Sequence, residues 1–459
     1  MSNEIMSVIL AAGRAKPMNS QLPKAIHTVC GKPMAGWVLD AVKQAGIEKS
    51  VMVVGYGAEK VKEVFGESVT YAYQDEQKGT GHALACARET FAHGSTHVVV
   101  LPADTPLIDA DTLTAAIEYH REFGNEATIV TAVMDDPYGY GRVIRNSAGD
   151  VAGIVEHTDA NQSELEIREI NSSIYIFNTD ALCYALDNLD SIRDDYDRNN
   201  LIRTLEVLIK SGRKVGAYDA DDPCCIFGVN DRFQLYEADA MMRWRINCRH
   251  MENGVTLVNP EVTYIEADVE IGCDTVIQPN VTLRGSTKIG EGVLIGANSI
   301  ITNSVIDDGA DVLCSVITDS SVGSGTHVGP FAYMRPNSKV GKNVKVGDFV
   351  EIKNATIDDG TKISHLTYVG DSDVGKGVNF GCGCVTVNYD GSKKYRTIIE
   401  DHAFIGCNTN LVSPVRVGEN AYIAAGSTIT DEVPGSNLAI ARSRQVNKSN
   451  WKDRRNQGK

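Results

Sequence analysis

At 459 residues the chain is long enough for two to four domains of about 100–200 residues each. Its 60 acidic against 44 basic residues leave a net charge of −16, which argues against a protein that coats nucleic acid or an anionic membrane. Eleven cysteines, odd in number and scattered, read as free thiols in a reducing compartment rather than as a disulfide framework.

Ile5–Leu10 is too short an apolar run for a secretory leader, and no run approaches the ~20 apolar residues of a membrane span. The expectation is a cytoplasmic protein with neither a membrane nor a nucleic-acid partner. From the N-terminus, short apolar runs alternate with longer amphipathic ones. Ile5–Leu10 and residues 51–54 and 97–101 read as buried strands, and residues 33–45, 79–91 and 109–123 read as helices. That order predicts an α/β domain with a parallel, doubly wound, Rossmann-like sheet and right-handed crossovers. In such sheets ligands bind beyond the carboxyl ends of the strands.

Two stretches directly follow strands. Leu10-Ala11-Ala12-Gly13, with Arg14, Lys16 and Lys24 behind it, lets a ligand approach the backbone closely and supplies cations for phosphate. Pro102-Ala103-Asp104-Thr105-Pro106 places an aspartate at a strand end, where turn former and Mg²⁺ ligand are equally good readings. Residues 230–252 are polar, with Phe233, Leu235, Met241, Met242, Trp244 and Ile246 spread along them. They read as a linker helix started by Asn230 or Asp231 and ended before Gly254. The predicted division is 1–229, 230–252 and 253–459.

Beyond the linker, apolar residues recur at every sixth position. Ile265, Ile271, Ile277, Leu283, Ile289, Ile295 and Ile301 form one ladder, Val328, Met334, Val340, Val346 and Ile352 a second, and Ile399, Ile405, Leu411, Val417, Ile423 and Ile429 a third. A period of six fits neither a helix nor a simple strand and predicts a parallel β-helix of hexapeptides, with short insertions where the phase shifts. Glycine often follows a ladder residue, as in Ile271-Gly272 and Val346-Gly347, and is expected to turn a corner with φ > 0. Grooves between packed coils predict a homotrimer.

His365 interrupts the pattern. A lone histidine is more often structural than catalytic, but Arg335 and Lys353 lie in neighbouring repeats on the same predicted face. A base with a pKa near working pH suits removal of a proton from an attacking amine. Cys382-Gly383-Cys384 and Cys224-Cys225 lack zinc-site spacing, and the coil offers only His327, His365 and His402 for a metal. The basic tail, Arg444, Lys448, Lys452, Arg454, Arg455 and Lys459, reads as solvated.

A resemblance now becomes specific. In the first half it rests on Leu10-Ala11-Ala12-Gly13, Leu22-Pro23-Lys24, Gln74 with Gly79-Thr80-Gly81-His82-Ala83, Gly139-Tyr140-Gly141-Arg142, Val155-Glu156-His157, Glu169-Ile170-Asn171 and Gly228-Val229-Asn230. In the coil it rests on His365-Leu366-Thr367-Tyr368, Asn388-Tyr389-Asp390-Gly391 and Leu438-Ala439-Ile440. Together these resemble the bacterial bifunctional N-acetylglucosamine-1-phosphate uridylyltransferase / glucosamine-1-phosphate N-acetyltransferase family over nearly the whole chain.

The resemblance implies a nucleotidyltransferase-like domain followed by a left-handed parallel β-helix. It implies acetyl transfer from acetyl-CoA to glucosamine 1-phosphate, then uridylyl transfer from UTP to N-acetylglucosamine 1-phosphate. By resemblance His365 is the catalytic base, Arg335, Lys353, Tyr368 and Asn379 hold the amino-sugar phosphate, and Cys382, Asn388, Tyr389, Cys407, Ala425 and Arg442 hold acetyl-CoA. Leu10, Ala11, Ala12, Gly13, Lys24, Gln74, Gly79 and Thr80 would hold the nucleotide and its phosphates, Gly141, Glu156 and Asn171 the sugar, and Asp104 with Asn230 Mg²⁺.

The chain also departs from the family pattern. Ala15 replaces a glycine, Pro17 an arginine, and Ala103 the glycine before Asp104. Asn171-Ser172-Ser173 stands for Asn-Thr-Gly, residues 196–200 differ from the usual helix start, and Cys382 and Cys407 replace alanine and serine. An alanine forced to φ > 0 would be strained, and the lost guanidinium would have stabilised departing pyrophosphate. Arg14 or Lys16 is a candidate substitute cation. Two other readings stay open: an acetyltransferase whose first domain is degenerate, and a coil that serves only oligomerisation.

Overall fold

The computed structural model describes residues 5–189 and 200–451. The chain forms two compact units, Met1–Met242 and Arg243–Lys459. Residues 196–199, the tail residues Lys452, Arg454, Arg455 and Lys459, and the side chain of Lys16 lie outside the described part.

The first unit runs β1 (Ile5–Leu10), the hairpin β2 (Thr28–Val29) and β3 (Lys32–Pro33), α1 (Met34–Gln44), β4 (Lys49–Val54), α2 (Ala58–Phe65), β5 (Thr70–Tyr73), α3 (Thr80–Cys86), α4 (Arg88–Phe91) and β6 (His97–Pro102). It continues through α5 (Ala110–Glu122), β7 (Ala127–Val133), β8 (Arg142–Arg145), β9 (Val151–Val155), α6 (Gln162–Leu165), β10 (Glu169–Asn178), α7 (Thr179–Asp187), α8 (Ile202–Lys210) and β11 (Val215–Asp219).

The main sheet has the order β11-β7-β10-β6-β1-β4-β5. Strands β6, β1, β4 and β5 are parallel, as the alternation predicts. The sheet as a whole is mixed, however, because β10 runs antiparallel to both β6 and β7. After β7 the chain makes the β8–β9 hairpin instead of a long crossover helix, so it re-enters the sheet in the opposite sense. Apolar residues cover both faces. Val8, Val53 and Val100 pack with Leu84, Phe91 and Leu205 on one side, and Ile9, Met52 and Leu101 pack with Val38, Leu39 and Leu113 on the other. Burial on both sides is why these strands read as unbroken apolar runs. The predicted helix 79–91 breaks at Ala87 into α3 and α4, while α5 starts where Asp109 accepts the Thr112 N–H.

Helix α9 (Arg232–Glu252) runs through the division between the units. Asp231 caps it by accepting the Phe233 and Gln234 N–H groups, each at 2.9 Å.

The second unit is a left-handed parallel β-helix, with three sheets of 11, 10 and 9 short strands among the described residues. Ladder residues stack directly: Ile265 on Leu283, Ile271 on Ile289 and Ile277 on Ile295. The phase change after Ile301 comes from shortened coils rather than insertions, since Ile301 pairs with Ile317 and Ile306 with Val322. The large insertion lies between residues 388 and 396, where Phe380 stacks on Ile405.

Of the glycines that directly follow ladder residues, Gly329 after Val328 has φ 108°, but Gly272, Gly290, Gly347, Gly406 and Gly418 do not adopt φ > 0. A Cβ on Gly272 would stand 2.7 Å from the Gly290 carbonyl carbon, and one on Gly406 2.5 Å from the Ala425 nitrogen. They are glycines because the next coil leaves no room. The left-handed corners fall three residues after the ladder position instead, at Asp274, Asn298, Asn343 and Asn408, with φ of 58°, 61°, 53° and 55°.

Candidate active sites

In the first unit the carboxyl ends of β1 and β6 and the turn after β5 open onto a cavity of about 670 Å³. Leu10, Ala11, Ala12, Gly13, Lys24, Gln74, Gly79, Thr80, Asp104, Gly141, Glu156, Asn171 and Asn230 all line it. Gln74 is fixed by its own side chain, which donates to the Gly79 carbonyl at 2.9 Å and meets His82 Nδ1 at 3.0 Å. Thr80 accepts the Leu201 N–H at 3.0 Å. Asn171 accepts from the Ser173 N–H at 3.1 Å and from the Tyr175 hydroxyl at 3.0 Å. Burial raises the Glu156 carboxyl above its ordinary range, and Asn200 offsets only part of the rise.

Lys24 contacts Asp104, and it donates to Asn230 Oδ1 at 2.8 Å. One carboxylate oxygen and one amide oxygen from distant stretches therefore converge on a single cationic point. That donor pair suits a hard oxygen-seeking cation.

The departures sort themselves out. Ala15 is buried and stays outside the left-handed region, so the strain expected there is absent. Ser173, at the usual glycine of Asn-Thr-Gly, does adopt φ 63°. Pro17 sits in the short turn Lys16–Met18. Arg14 lines the cavity and stacks its guanidinium 4.5 Å from the Tyr56 ring centroid.

In the second unit His365 Nδ1 lies 2.7 Å from Asp348 Oδ1, and the two residues pair in register one coil apart. The hydrogen bond to His365 draws the Asp348 carboxyl below its ordinary value. Asp348 was not foreseen; its signal in the sequence is an acid two places after a ladder residue, as His365 is two places after Ile363. Cys382, Cys407 and Ala425 occupy the same place in the following coils, after Phe380, Ile405 and Ile423. Arg442 reaches this column beside Gly426, where a Cβ would lie 3.7 Å from its Cδ. Cys382 and Cys407 are free thiols, the second exposed.

On the adjoining face, Arg335 pairs with Glu351 at 2.9 Å and Lys353 with Asp371 at 3.7 Å. Asn388 donates to Asp371 and, at 3.3 Å, to the Tyr368 hydroxyl. Burial pushes the Asp371 carboxyl up, but Asn354, Asn388 and the nearby lysines more than offset it, leaving it below its usual value. Asn379 stacks between Lys362 and Phe404 on the His365 side. Tyr389 donates to the Gly391 carbonyl within its own loop, at 2.6 Å. In that loop Lys394 faces Lys353, which pulls its pKa below the ordinary value, while Arg396 is tied to Asp373. Lys394 is thus a second unforeseen neighbour of the candidate phosphate site. In sequence it looks like an ordinary solvated turn residue.

A family model for the MobA-like NTP transferase domain matches residues 7–164, and the bacterial transferase hexapeptide model matches residues 268–303, 319–354 and 396–431. The bifunctional protein GlmU of Acetivibrio thermocellus is 55% identical over 97% of each chain. The chain belongs to the bifunctional GlmU family. GlmU proteins of Caldanaerobacter subterraneus and Clostridium botulinum are 52% and 51% identical, each over 98% of both chains. The two units thus carry the two transferase domains of a GlmU chain, and among the described residues no helix is long and apolar enough to cross a membrane.

Proposed function

We propose that this chain makes UDP-N-acetylglucosamine in two steps, one in each unit. The supporting observation is that a chain matching GlmU end to end gathers its nucleotide-side candidates around one cavity and its His365–Asp348 pair on the coil.

In the coil, Asp348 accepts the His365 Nδ1–H and leaves Nε2 as the base. Nε2 takes a proton from the amine of glucosamine 1-phosphate as the nitrogen attacks the acetyl carbonyl. The C–N bond forms, the C–S bond of acetyl-CoA breaks, and the sulfur leaves to be protonated. Arg335, Lys353 and Lys394 give the sugar phosphate its cationic seat.

In the α/β unit, a phosphate oxygen of N-acetylglucosamine 1-phosphate attacks the α-phosphorus of UTP in line, and pyrophosphate departs. Residues 10–13 offer close backbone approach to the nucleotide, while Glu156, Asn171 and Gly141 orient the sugar. Asp104 and Asn230 are the oxygen donors for Mg²⁺, which when bound neutralises phosphate charge. The working assembly is a homotrimer in the cytoplasm.

The two half-reactions are assayed apart: thiol release from acetyl-CoA with glucosamine 1-phosphate, and pyrophosphate release from UTP with N-acetylglucosamine 1-phosphate. Both proceed on this reading. Thiol release without pyrophosphate release sinks the bifunctional reading in favour of an acetyltransferase with a degenerate first domain.

A further inference from the structure

We infer that Lys24 closes the divalent-cation seat of the first unit until a phosphate draws it away. This rests on the reading of Asp104 and Asn230 as the cation's donors. The Lys24 ammonium contacts the Asp104 carboxylate and lies 2.8 Å from the Asn230 amide oxygen, so it stands where those two donors converge. An ammonium and a magnesium ion cannot share that point, because Mg²⁺ needs the same oxygens at about 2.0–2.1 Å. Cation entry therefore requires Lys24 to withdraw.

The seat is also sparse. Among the described residues no group of three or more histidine, cysteine, aspartate or glutamate side chains is placed to hold a metal. One carboxylate and one amide hold Mg²⁺ well only when substrate phosphates complete its coordination. Lys24 lines the same cavity as Gly13 and Arg14, so a phosphate bound there offers its ammonium a new anionic partner. Phosphate binding then does two things together: it removes the competing cation and adds oxygen ligands. The two binding events are positively coupled, and the bare protein holds divalent cations weakly.

The test is Mn²⁺ binding to the full-length chain without nucleotide, read from loss of the free-ion signal in electron paramagnetic resonance. Lys24→Met removes the competitor and should tighten binding by on the order of tenfold. Adding Asp104→Asn should cancel that gain. If Lys24→Met binds no tighter while Asp104→Asn still weakens binding, Lys24 is no gate and the proposal falls, with the cation seat intact. If Lys24→Met binds tighter and Asp104→Asn does not cancel the gain, the ion lies elsewhere and the cation-seat reading falls with the proposal. If neither change alters binding, both fall. Lys24→Gln, which keeps a polar side chain, is measured in parallel, with thermal melts to confirm that the variants fold.

Discussion

The two units build their sites in opposite ways. In the α/β unit Lys24 meets Asp104 and Asn230 across 80 and 206 positions of chain, because strand order brings distant turns to one end of a sheet. In the coil Asp348 meets His365 across 17 positions, because each turn lays one residue over its counterpart in the next. A site of the first kind depends on the whole fold, whereas one of the second kind depends on register alone. Each should therefore respond to local change without disturbing the other.

The largest effect should come from His365→Ala. Loss of a general base ordinarily costs about 10²- to 10⁴-fold in rate. Acetyl transfer should fall by that factor while uridylyl transfer stays at the native value. If both fall together, the units are not independent; if neither falls, His365 is not the base.

Next is Arg14→Ala. By the resemblance, Pro17 stands where the related family has an arginine facing the departing pyrophosphate, and Arg14 is the described cation that lines the cavity from the same loop. Losing one such charge should cost about 10²- to 10³-fold in uridylyl transfer. Restoring Gly at Ala15 and Arg at Pro17 should then recover activity in the Arg14→Ala background. If the native chain is already slow and Arg14→Ala leaves it unchanged, Arg14 is no substitute.

The same contrast explains what the sequence revealed. The six-residue period located the coil and its inward residues, because a repeating unit writes its geometry into every turn. It could not assign the glycines: Gly272 and Gly406 are held by the neighbouring coil's backbone, a contact between turns, and not by their own φ. Asp348 was missed for the same reason, since only stacking shows that it lies over His365. In the α/β unit, local pattern gave β1, β4, β6 and α5 but not the antiparallel β10, whose direction depends on the hairpin before it. Position after a strand pointed to residues 10–13, Arg14, Lys24 and Asp104, whereas Gln74, Gly79, Thr80, Gly141, Glu156, Asn171 and Asn230 were named only through family resemblance. The Lys24 contacts, between stretches so far apart, had no local signal at all.

A smaller effect separates the units from their shared environment. His120 in the first unit and His250 in the second are both buried, and burial lowers each pKa to about 4. His120 is neutral by arrangement: Nδ1 accepts the Thr128 hydroxyl at 2.8 Å and Nε2–H donates to Asn178 Oδ1 at 3.2 Å. Unfolding lets these histidines bind protons below about pH 6.5, so stability is full above that pH and drains away as pH falls toward 4. At about 1.4 kcal/mol per pKa unit, His120 contributes on the order of 3 kcal/mol at neutral pH that is lost in acid. His120→Gln should flatten the first unit's melting temperature between pH 6.5 and 4; an unchanged slope there removes His120 as the cause.

The smallest expected effect is at Ser173, and it runs toward greater stability. Ser173 holds φ 63° in the bulge where β10 slips against β7, and its N–H donates to the Asn171 side-chain oxygen Oδ1 at 3.1 Å. An L-residue in this region costs about 1–2 kcal/mol. Glycine removes that cost but adds about 0.5–1 kcal/mol of chain entropy in the unfolded state. Ser173→Gly should therefore gain about 0.5–1 kcal/mol, which for a unit of this size raises the melting temperature by about 1–3 °C. Because the backbone donor to Asn171 is kept, uridylyl transfer should not change. In the coil the left-handed corners at Asn298, Asn343 and Asn408 already use a residue that tolerates them, so glycine there should bring less. A melting temperature that stays put or drops in Ser173→Gly shows that this bulge holds its shape through the serine side chain instead of in spite of it.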